Sequence, residues 1–539
     1  MAICAGLVLP AAAPAATYCV NAGGACDQSF SAAQLQDALD AARANPGLDR
    51  VQIGSGTYSR TGGFSYDASG TGAGNYIEIV GAGAGGGSPT VITAPGGDGV
   101  TSLSIFTNAF PRDASTISDL RVDAPSSGLG VTGMSLAGAT ATGTIVTVPS
   151  GVASGTGLAI GAATFRDGVV SVPYSSVNLN AVLGSVEAFV EDSTIAGFAG
   201  VHNDNTVGGT TTVRRSTIFA TIGLWADEAA PIEAHDVVIK LVEVTPRISV
   251  PVGVQAFSDS FLAASLTGDH LTIYGDNRPG AIGAYANAPV SDANLTLTNS
   301  ILRAVPRSLV RSGTPPATAN LTASYSDYDP TTTQSLGPGT LTEGPGNVNV
   351  DPLFVDAAGG DYHLQAGSPV ADAGDPAACG GTDRDGNPRV RDADGDGTAR
   401  TDMGAFELQA GGQCPPVVEP PPASDMGSLP SNDFSLGKPK SRRNGSAVVT
   451  ATVPAAGELV AADTSAAQGH AAHSQALIKP VEVAASGPGP VRLRLKPTRA
   501  AKQPLEAGDK VKLTVTVTYT PSGGTSNSKA TKVKLKRRH

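Results

Sequence analysis

The middle of the chain repeats a short pattern of two polar residues, two variable residues and an isoleucine. The copies read EDSTI, RRSTI, HDVVI, DHLTI and a shortened NSI, and they end at Ile195, Ile218, Ile239, Ile273 and Ile301. Successive isoleucines lie 23, 21, 34 and 28 residues apart. Repeats of roughly 20 to 50 residues indicate solenoids, and a strand-rich repeat predicts one coil of a parallel β-helix. Stacked coils pair their backbone groups and align the isoleucines in apolar columns.

Composition agrees with strands and turns. The 539 residues include 67 Gly and 38 Pro, which resist helix interiors. Charged residues make up 15% of the chain, against roughly 25% in an average globular protein. These figures argue against coiled coils and helical bundles, while the hydrophobic fraction of 40% argues against disorder.

One amphipathic helix is predicted, in an N-terminal cap over 17–48. Ser31 and Gln34 have the spacing of a capping box, and Phe30 is placed to contact Leu35. The apolar positions recur at helical spacing: Leu35, Ala38, Leu39 and Ala42. A single apolar stripe needs a hydrophobic surface to cover, so we expect this helix to act as a lid on the strands that follow.

The first 16 residues form an apolar run with a cleavage-like site at Ala13-Pro14-Ala15, and they predict a secretory signal peptide. No basic residue precedes the run, and a disordered tail is the alternative.

After removal of the signal peptide four cysteines remain, and short loops favour the pairs Cys19–Cys26 and Cys379–Cys414. No other stretch is apolar enough to span a bilayer, so we expect an extracellular or non-covalently surface-associated protein without a transmembrane segment.

The cap helix, the run IEIVGAGAGGGSPTVI and the repeated coils resemble the secreted right-handed parallel β-helix proteins of the pectate-lyase-like superfamily. A second segment, NVDPLFVDAAGGDYHLQAGSPVADAGDP followed by TDRDGNPRV and TDMGAFE, resembles the closing segment of bacterial choice-of-anchor Q proteins. The resemblance implies that 49–410 form a right-handed parallel β-helix whose closing segment is 349–408. That family is defined by architecture and surface location, so the resemblance implies a fold rather than a reaction.

A proline-rich linker at 411–433 precedes a differently charged C-terminal part. From Phe434 onward the chain has 18 Lys and Arg against 5 Asp and Glu, a net charge of +13, whereas the preceding residues have 18 against 42, a net charge of −24. Runs such as KVKLTVTVTYT alternate with period two between turns. Six or seven such strands predict an immunoglobulin-like β-sandwich at 434–539.

The polar residues of the repeat are candidates for chemistry. In successive coils they are Glu191-Asp192, Arg214-Arg215, His235-Asp236 and Asp269-His270, and the repeat predicts that they stack along one outer edge. One interpretation is a general acid–base site for a sugar, with the catalytic candidates His235, Asp236, Asp269 and His270. The 34-residue step would place a loop near 246–251 beside this site. The alternative, which the alternating charges favour, is a ladder of ion pairs lining a turn.

A comparison with the enzymes of the pectate-lyase-like superfamily gives little support to a catalytic role for this chain. Polygalacturonases combine paired acids with G-H-G and R-I-K segments, and the nearest counterpart here is Arg247-Ile248-Ser249. Calcium-dependent lyases use carboxylates with an Arg or Lys base. Lys240 is available as a base, although it follows Ile239 in a predicted strand and can extend along the surface instead.

An acidic loop is the candidate metal site. Asp392, Asp394 and Asp396 occupy alternate positions before Gly397, which permits the turn that gathers oxygen ligands around Ca²⁺. The next acid, Asp402, falls one position short of the last ligand of an EF-hand. A structural calcium ion and an acidic surface turn are the two interpretations.

Two cationic strand faces are predicted in the C-terminal part. Their residues are Arg492, Arg494 and Lys496 in one run and Lys532, Lys534 and Lys536 in another. They favour a non-covalent contact with an anionic cell-wall polymer or acidic polysaccharide, and a solvated face is the alternative. Nucleic acid is not an expected partner, because aromatic residues are not interleaved with these charges.

The sequence therefore predicts a secreted, monomeric and non-catalytic surface protein whose β-helix is presented to polysaccharide or another partner. The alternative is a polysaccharide lyase or glycoside hydrolase acting on an acidic glycan, with no cofactor other than Ca²⁺. An enzyme needs the polar side chains to converge in a groove, whereas a structural ladder pairs them with one another.

Overall fold

The structure is a computed structural model of the chain. It describes residues 15–537 apart from gaps at 70–74, 86–87, 108–113, 151, 153, 174–178, 185–186, 205–208, 243–249, 379, 394, 396, 410–433, 443, 464–476, 480, 486, 507 and 522–526. Strands account for 52% of the structure and helices for 6%, which confirms the predicted all-β class. The chain divides into two compact units, Met1–Val417 and Val418–His539.

The first unit is a parallel β-helix with three strand faces. Face 1 is a 14-stranded sheet of parallel pairs. Its strands, in spatial order, are Gln28–Phe30, Thr17–Val20, Gly47–Ile53, Asn75–Val80, Thr116–Ser118, Thr140–Thr142, Thr164–Arg166, Ala188–Glu191, Thr211–Arg214, Ile232–His235, Ala264–Asp269, Ala293–Thr298, Ala319–Ser324 and Leu341–Glu343.

Faces 2 and 3 share a second, 19-stranded sheet, because Thr194–Asn203 and Thr217–Asp227 each run through both faces. The other strands of face 2 are Gly56–Ser59, Thr90–Thr93, Arg121–Asp123, Ile145–Thr147, Val169–Ser171, Val238–Leu241, Thr272–Tyr274 and Ile301–Arg303. The other strands of face 3 are Phe64–Asp67, Thr101–Phe106, Val131–Ala137, Gly155–Gly161, Leu179–Gly184, Val252–Phe257, Ile282–Ala288, Arg307–Gly313 and Gln334–Leu336.

Isoleucines of the repeat form a column inside the solenoid. Four of them are fully buried and in register on face 2: Ile195, Ile218, Ile239 and Ile273. The prediction was wrong for Ile301, which pairs with Thr272. Leu302 pairs with Ile273 and takes the inward position in this coil. The residue that packs inward is therefore set by its distance from the turn and not by being isoleucine.

The predicted cap helix forms at Leu35–Ala44, after a 3-10 turn at Ala32–Gln34. The capping box of Ser31 and Gln34 is present. The four apolar positions are buried: Leu35, Ala38, Leu39 and Ala42. They join the core formed by the first strands, so the helix covers the apolar interior at this end of the solenoid.

A Cys19–Cys26 disulfide lies at the same end, as predicted. Of the predicted pair Cys379–Cys414, neither residue falls within the described part of the chain. The same holds for residues 1–14 of the predicted signal peptide and for the linker at 411–433.

Residues 349–408, here called the lateral segment, do not continue the coil path. They follow the last strand of face 1, Leu341–Glu343, and include an antiparallel hairpin of Phe354–Asp356 and Asp361–Leu364. Tyr362 and Phe406 of this segment pack against Val238 on the outer side of face 2. The segment therefore covers the side of several coils rather than closing the last one.

The second unit is a sandwich of two four-stranded sheets with antiparallel pairing around its own core. One sheet contains Ser435–Leu436, Lys440–Ser441, Ala447–Val453 and Gly489–Leu495, and the other contains Gly457–Asp463, Val481–Ala485, Lys510–Pro521 and Asn527–Lys536. The sequence did not predict the helix at Arg499–Glu506, which buries Ala501 and Leu505 in the core. Within the described chain, no helix is both long and apolar enough to cross a bilayer.

Candidate functional site

The polar residues of the repeat lie along the edge where face 1 turns into face 2. Four of them end successive strands of face 1 in direct register: Glu191, Arg214, His235 and Asp269. Each is followed by a turn residue: Asp192, Arg215, Asp236 and His270. The predicted stacking is confirmed, and we call these eight residues the turn column.

Every one of these turns uses a residue in the left-handed backbone region. The φ angle is 49° at Asp192, 41° at Arg215, 58° at Asp236, 53° at His270 and 50° at Asn299 in the next coil. This region is costly for most side chains and least so for Gly, Asn and Asp. The tight reversal alone thus explains why Asp and Asn recur at this position.

Buried serines follow the left-handed residue in four coils: Ser193, Ser216, Ser300 and Ser326. Ser300 Oγ accepts the Leu271 N–H at 3.1 Å and donates to the Thr298 carbonyl at 2.8 Å. In the next coil, Ser326 Oγ accepts the Ser300 N–H at 3.1 Å. This serine ladder satisfies backbone groups that the turn removes from the sheets.

Ion pairs link neighbouring coils at the start of the turn column. The Arg166 guanidinium lies 2.9 Å from Glu191, and Arg215 donates two parallel hydrogen bonds to Asp192 at 2.7 and 2.8 Å. The alternating charges of the sequence pattern therefore neutralise one another between coils.

The His–Asp half of the column is also paired. Asp269 Oδ2 lies 3.0 Å from His270 Nδ1 and 3.9 Å from His235 Nδ1, and Asn299 Nδ2 donates to Asp269 Oδ1 at 2.9 Å. Burial by itself raises the pKa of Asp269, but these three neighbours outweigh it and hold that pKa far below its usual range. Burial, aided by the positive charge of Arg389, lowers the pKa of His270. The pair is thus an ionised Asp269 beside a neutral His270.

The lateral segment covers this His–Asp cluster. His270 Nε2 lies 2.7 Å from Thr401 Oγ1, and His270 is only 6% exposed. Arg389 donates to Asp236 Oδ1 from Nε at 2.8 Å and from a terminal nitrogen at 2.6 Å. The structure therefore brings the four catalytic candidates together and pairs them. The lateral segment covers His270 and contacts Asp236, whereas the side chains of His235 and Asp269 stay 34% and 32% exposed.

Buried carboxylates hold the lateral segment in place. Glu407 accepts the backbone N–H groups of Val390 and Arg391 at 2.9 and 3.0 Å and lies 3.3 Å from the Arg389 guanidinium. Both oxygens of Asp402 accept backbone N–H groups, at 2.8 and 2.6 Å. Burial and the neighbouring Glu407 raise the pKa of Asp402, and burial raises that of Glu407 although Arg389 opposes it. The acids of TDMGAFE therefore organise the interior of the segment, and Arg389 joins Glu407 to Asp236 of the coils.

Lys240, the candidate base, is held by the lateral segment as well. Its Nζ donates to the Ala358 carbonyl at 3.2 Å. The loop that was expected beside it at 246–251 is described only at Val250 and Pro251. The described residues therefore show Lys240 bound to a backbone oxygen.

The predicted calcium loop is described only in part. Asp394 and Asp396 lie outside the described residues, and Asp392 accepts the Gly397 N–H at 3.1 Å. Asp402 uses both oxygens within the lateral segment. Among the residues that the structure describes, no group of three or more His, Cys, Asp or Glu side chains is placed to hold a metal ion.

A second polar cluster lies on the outer surface of face 3. His202, Trp225, Gln255 and Tyr285 occupy the same position in four successive coils. The His202 and Trp225 rings stack with centroids 4.2 Å apart, and Phe257 meets Trp225 edge-on at 6.2 Å. We call these five residues with Asp227 and Glu228 the face-3 cluster.

Several atoms of this cluster are buried and have no hydrogen-bond partner among the residues that the structure describes. They are His202 Nδ1 and Nε2, Trp225 Nε1, Asp227 Oδ1 and Glu228 Oε2. His202 Nε2 and Asp227 Oδ2 are 3.7 Å apart, too far for a hydrogen bond. A buried polar group without a partner costs about 1–3 kcal/mol, so such groups are rare in native proteins. Their concentration here makes the face-3 cluster a candidate site for a polar ligand.

A shallow groove of about 310 Å³ lies on the preceding coils of face 3. Small residues make up half of its lining, including Ala137, Ala159, Gly161 and Gly184. Leu183, at its end, is in register with His202. The groove thus reaches the face-3 cluster along the direction in which the coils stack.

A larger groove of about 570 Å³ separates the lateral segment from the edge of face 2. Its lining includes Tyr274, Phe354 and Arg303. Arg303 is already engaged, since its guanidinium donates to both oxygens of Asp327. This groove therefore offers no unpaired cation to a ligand.

Sequence reasoning missed the face-3 cluster because its members belong to no recurring motif. Trp225 is the one tryptophan of the chain, which was the available signal. The long strand Thr217–Asp227 passes from face 2 to face 3, and the point of passage decides which of its residues face outward. The repeat in the sequence does not reveal that point. No known protein family and no curated protein matches the chain.

Proposed function

We propose that the protein is a secreted, non-catalytic β-helix that presents face 3 to a polysaccharide. The observation that carries this proposal is the set of unpartnered polar atoms beside the stacked rings of His202 and Trp225. A sugar ring offers an apolar face to an aromatic ring and hydroxyl groups to buried donors and acceptors. The adjoining groove gives room for further sugar units along the coils.

The location follows from other features. The apolar N-terminal run, the disulfide Cys19–Cys26 and the resemblance to choice-of-anchor Q β-helix proteins all support an extracellular or surface-associated protein. An elongated β-helix suits this role because its faces extend with each coil and can follow a linear polymer.

The proposal is tested by measuring the binding of the full chain to a panel of neutral and acidic oligosaccharides by calorimetry. Replacing Trp225 by Ala removes the platform and is expected to weaken binding about tenfold or more, while Trp225→Phe retains stacking and most of the affinity. Tyr274→Ala is the matched control, because it removes an outward aromatic ring from face 2. Equal affinity in wild type and Trp225→Ala, or no binding to any glycan, would contradict the proposal.

A second function, hydrolysis or elimination on an acidic glycan, is favoured by one observation. The neighbouring carboxylates Asp227 and Glu228 each keep a buried oxygen without a hydrogen-bond partner among the described residues, and Asp227 lies 3.7 Å from His202. Paired carboxylates with an imidazole are suited to general acid–base chemistry. Release of reducing-end or unsaturated products that Asp227→Asn abolishes, and that His235→Ala leaves intact, would establish this function at face 3.

A further inference from the structure

The second unit carries a lysine ladder on one sheet. Lys532, Lys534 and Lys536 alternate along the strand Asn527–Lys536, and Lys510 and Lys512 lie directly opposite Lys536 and Lys534 on the neighbouring strand. Alternate residues of a strand are about 7 Å apart and paired strands about 5 Å apart, so five positive charges form a compact two-column array. A groove of about 380 Å³ is lined by residues of both strands, including Lys512, Lys532 and Lys534.

This array is not compensated within its own unit. None of the five lysines forms an ion pair among the described residues, and from Phe434 onward the chain has 18 Lys and Arg against 5 Asp and Glu. Like charges directly opposite on paired strands destabilise a sheet. The five lysines of the ladder therefore repel one another, and a bound anion would reduce that repulsion.

Other features of the unit narrow the class of anion. Its described aromatic residues, Phe434 and Tyr519, are buried, so no exposed ring is available for stacking nucleic-acid bases. The large hydrophobic residues that are exposed elsewhere in the described chain are not found in this unit, so nothing there is suited to enter a bilayer. A polar, linear polymer with repeated negative charges remains the best match in charge and shape.

The two cationic strand faces of the sequence do not form one surface. Arg492 and Arg494 lie on the strand Gly489–Leu495, which pairs with Ala447–Val453 in the other sheet. Thr514 faces Lys532 beside the lysine ladder. The ladder is therefore a separate array from the arginine row, with hydroxyl groups next to it.

We propose that the lysine ladder on Lys510–Pro521 and Asn527–Lys536 is the binding site for an acidic polysaccharide whose carboxylates lie along the two lysine columns. This site is independent of the glycan surface proposed on face 3. It gives the protein two polymer contacts, one through aromatic stacking and one through charge.

The experiment measures binding of the full chain to polygalacturonate, with dextran as the neutral polymer, at ~50 mM and ~500 mM NaCl. The test variant is Lys532→Gln/Lys534→Gln/Lys536→Gln, and the matched control is Arg492→Gln/Arg494→Gln/Lys496→Gln, which removes the same charge from another strand. We expect the ladder variant to bind roughly tenfold more weakly at low salt, which is the combined effect of three exposed ion pairs. The control should lose less than about twofold, and high salt should abolish the difference.

Several outcomes would overturn the proposal. Equal losses in the two triple variants would show that only net charge matters. Binding that salt does not weaken, or tighter binding to double-stranded DNA or to phosphatidylglycerol vesicles than to polygalacturonate, would assign the ladder to another partner. Loss of polygalacturonate binding in Trp225→Ala with the ladder intact would show that the acidic polymer binds at face 3 instead.

Discussion

The turn column and the face-3 cluster use the same residue types in different states. In the turn column, His270 lies 3.0 Å from Asp269 and 2.7 Å from Thr401, so both ring nitrogens are engaged. In the face-3 cluster, His202 is almost as buried, yet neither ring nitrogen has a hydrogen-bond partner among the described residues. His270 takes one partner from its own coil, Asp269, and the other, Thr401, from the lateral segment.

This difference separates a structural polar site from a candidate binding site. A run of His and Asp along a solenoid edge is compatible with a structural site and with a binding site, because the same side chains can pair with protein or with ligand. What distinguishes the two is whether each buried donor and acceptor is already satisfied. By that criterion the Trp225 region is a better candidate for ligand binding than the conspicuous sequence motif, whose His270 and Asp269 are already paired.

The largest expected effect is at Arg389, whose side chain is 3% exposed between Asp236 and Glu407. Arg389→Met leaves two buried carboxylates without their cation and should lower the free energy of unfolding by about 3–5 kcal/mol. Urea unfolding measures this change. Arg391→Met is the control, since Arg391 contacts Gln409 at the surface and should matter by less than about 0.5 kcal/mol. Similar stability of both variants would mean that the lateral segment does not depend on this contact.

The two histidines give a direct test of the comparison. His270→Phe removes the ring nitrogens that contact Asp269 Oδ2 and Thr401 Oγ1 and should cost about 2–3 kcal/mol. His202→Phe replaces an unpartnered imidazole by an apolar ring of similar shape, so stability should stay within about 1 kcal/mol of wild type or rise. Thermal melts of the two variants compare these effects. Equal destabilisation would remove the distinction drawn between the two surfaces.

Ser300 tests the serine ladder beneath the turn column. Ser300→Ala leaves the Leu271 N–H without its acceptor and should cost about 1–2 kcal/mol. Ser335→Ala, at an exposed position of face 3, should leave the melting temperature almost unchanged. A neutral Ser300→Ala would show that water replaces the hydroxyl at this turn.

The smallest expected effect is the pH dependence of stability that His270 contributes where the lateral segment covers it. The folded protein lowers the pKa of His270, so this group contributes stability above its ordinary pKa of about 6.5 and loses it as the pH falls. His270→Gln should therefore lose less stability than wild type between pH ~7 and ~5.

His363 is the control, because its pKa is shifted in the opposite direction to that of His270. Burial alone lowers the pKa of His363, but Asp385 and Asp361, at 2.7 and 2.6 Å, outweigh it and raise the pKa. Its contribution is present below about 6.5 and is lost as the pH rises. His363→Gln should accordingly steepen the loss of stability on acidification. The same pH profile in both variants would contradict these assignments.

Much of the fold could be predicted because it is encoded locally. The spacing of Ser31, Gln34 and the four apolar positions specified the cap helix, and the repeat specified coils whose polar residues stack in register. The prediction failed at Ile301 because the left-handed residue Asn299 sets the phase of its coil, and Leu302 fills the inward position equally well. The helix at Arg499–Glu506 was missed because Pro504 lies within it and tertiary packing overrides its weak propensity.

The sequence by itself determined the β-helix, its cap and the sandwich, since strand period, turn residues and capping act over a few neighbouring positions. Only the tertiary structure decided which polar residues are satisfied. The partners of His270 and Asp236 are 131 and 153 residues away in the chain, on a segment that turns back along face 2. Hydrogen bonds across such separations depend on where distant strands come to lie. The His and Asp side chains of the turn column are therefore paired, whereas those of the face-3 cluster keep polar atoms without a described partner.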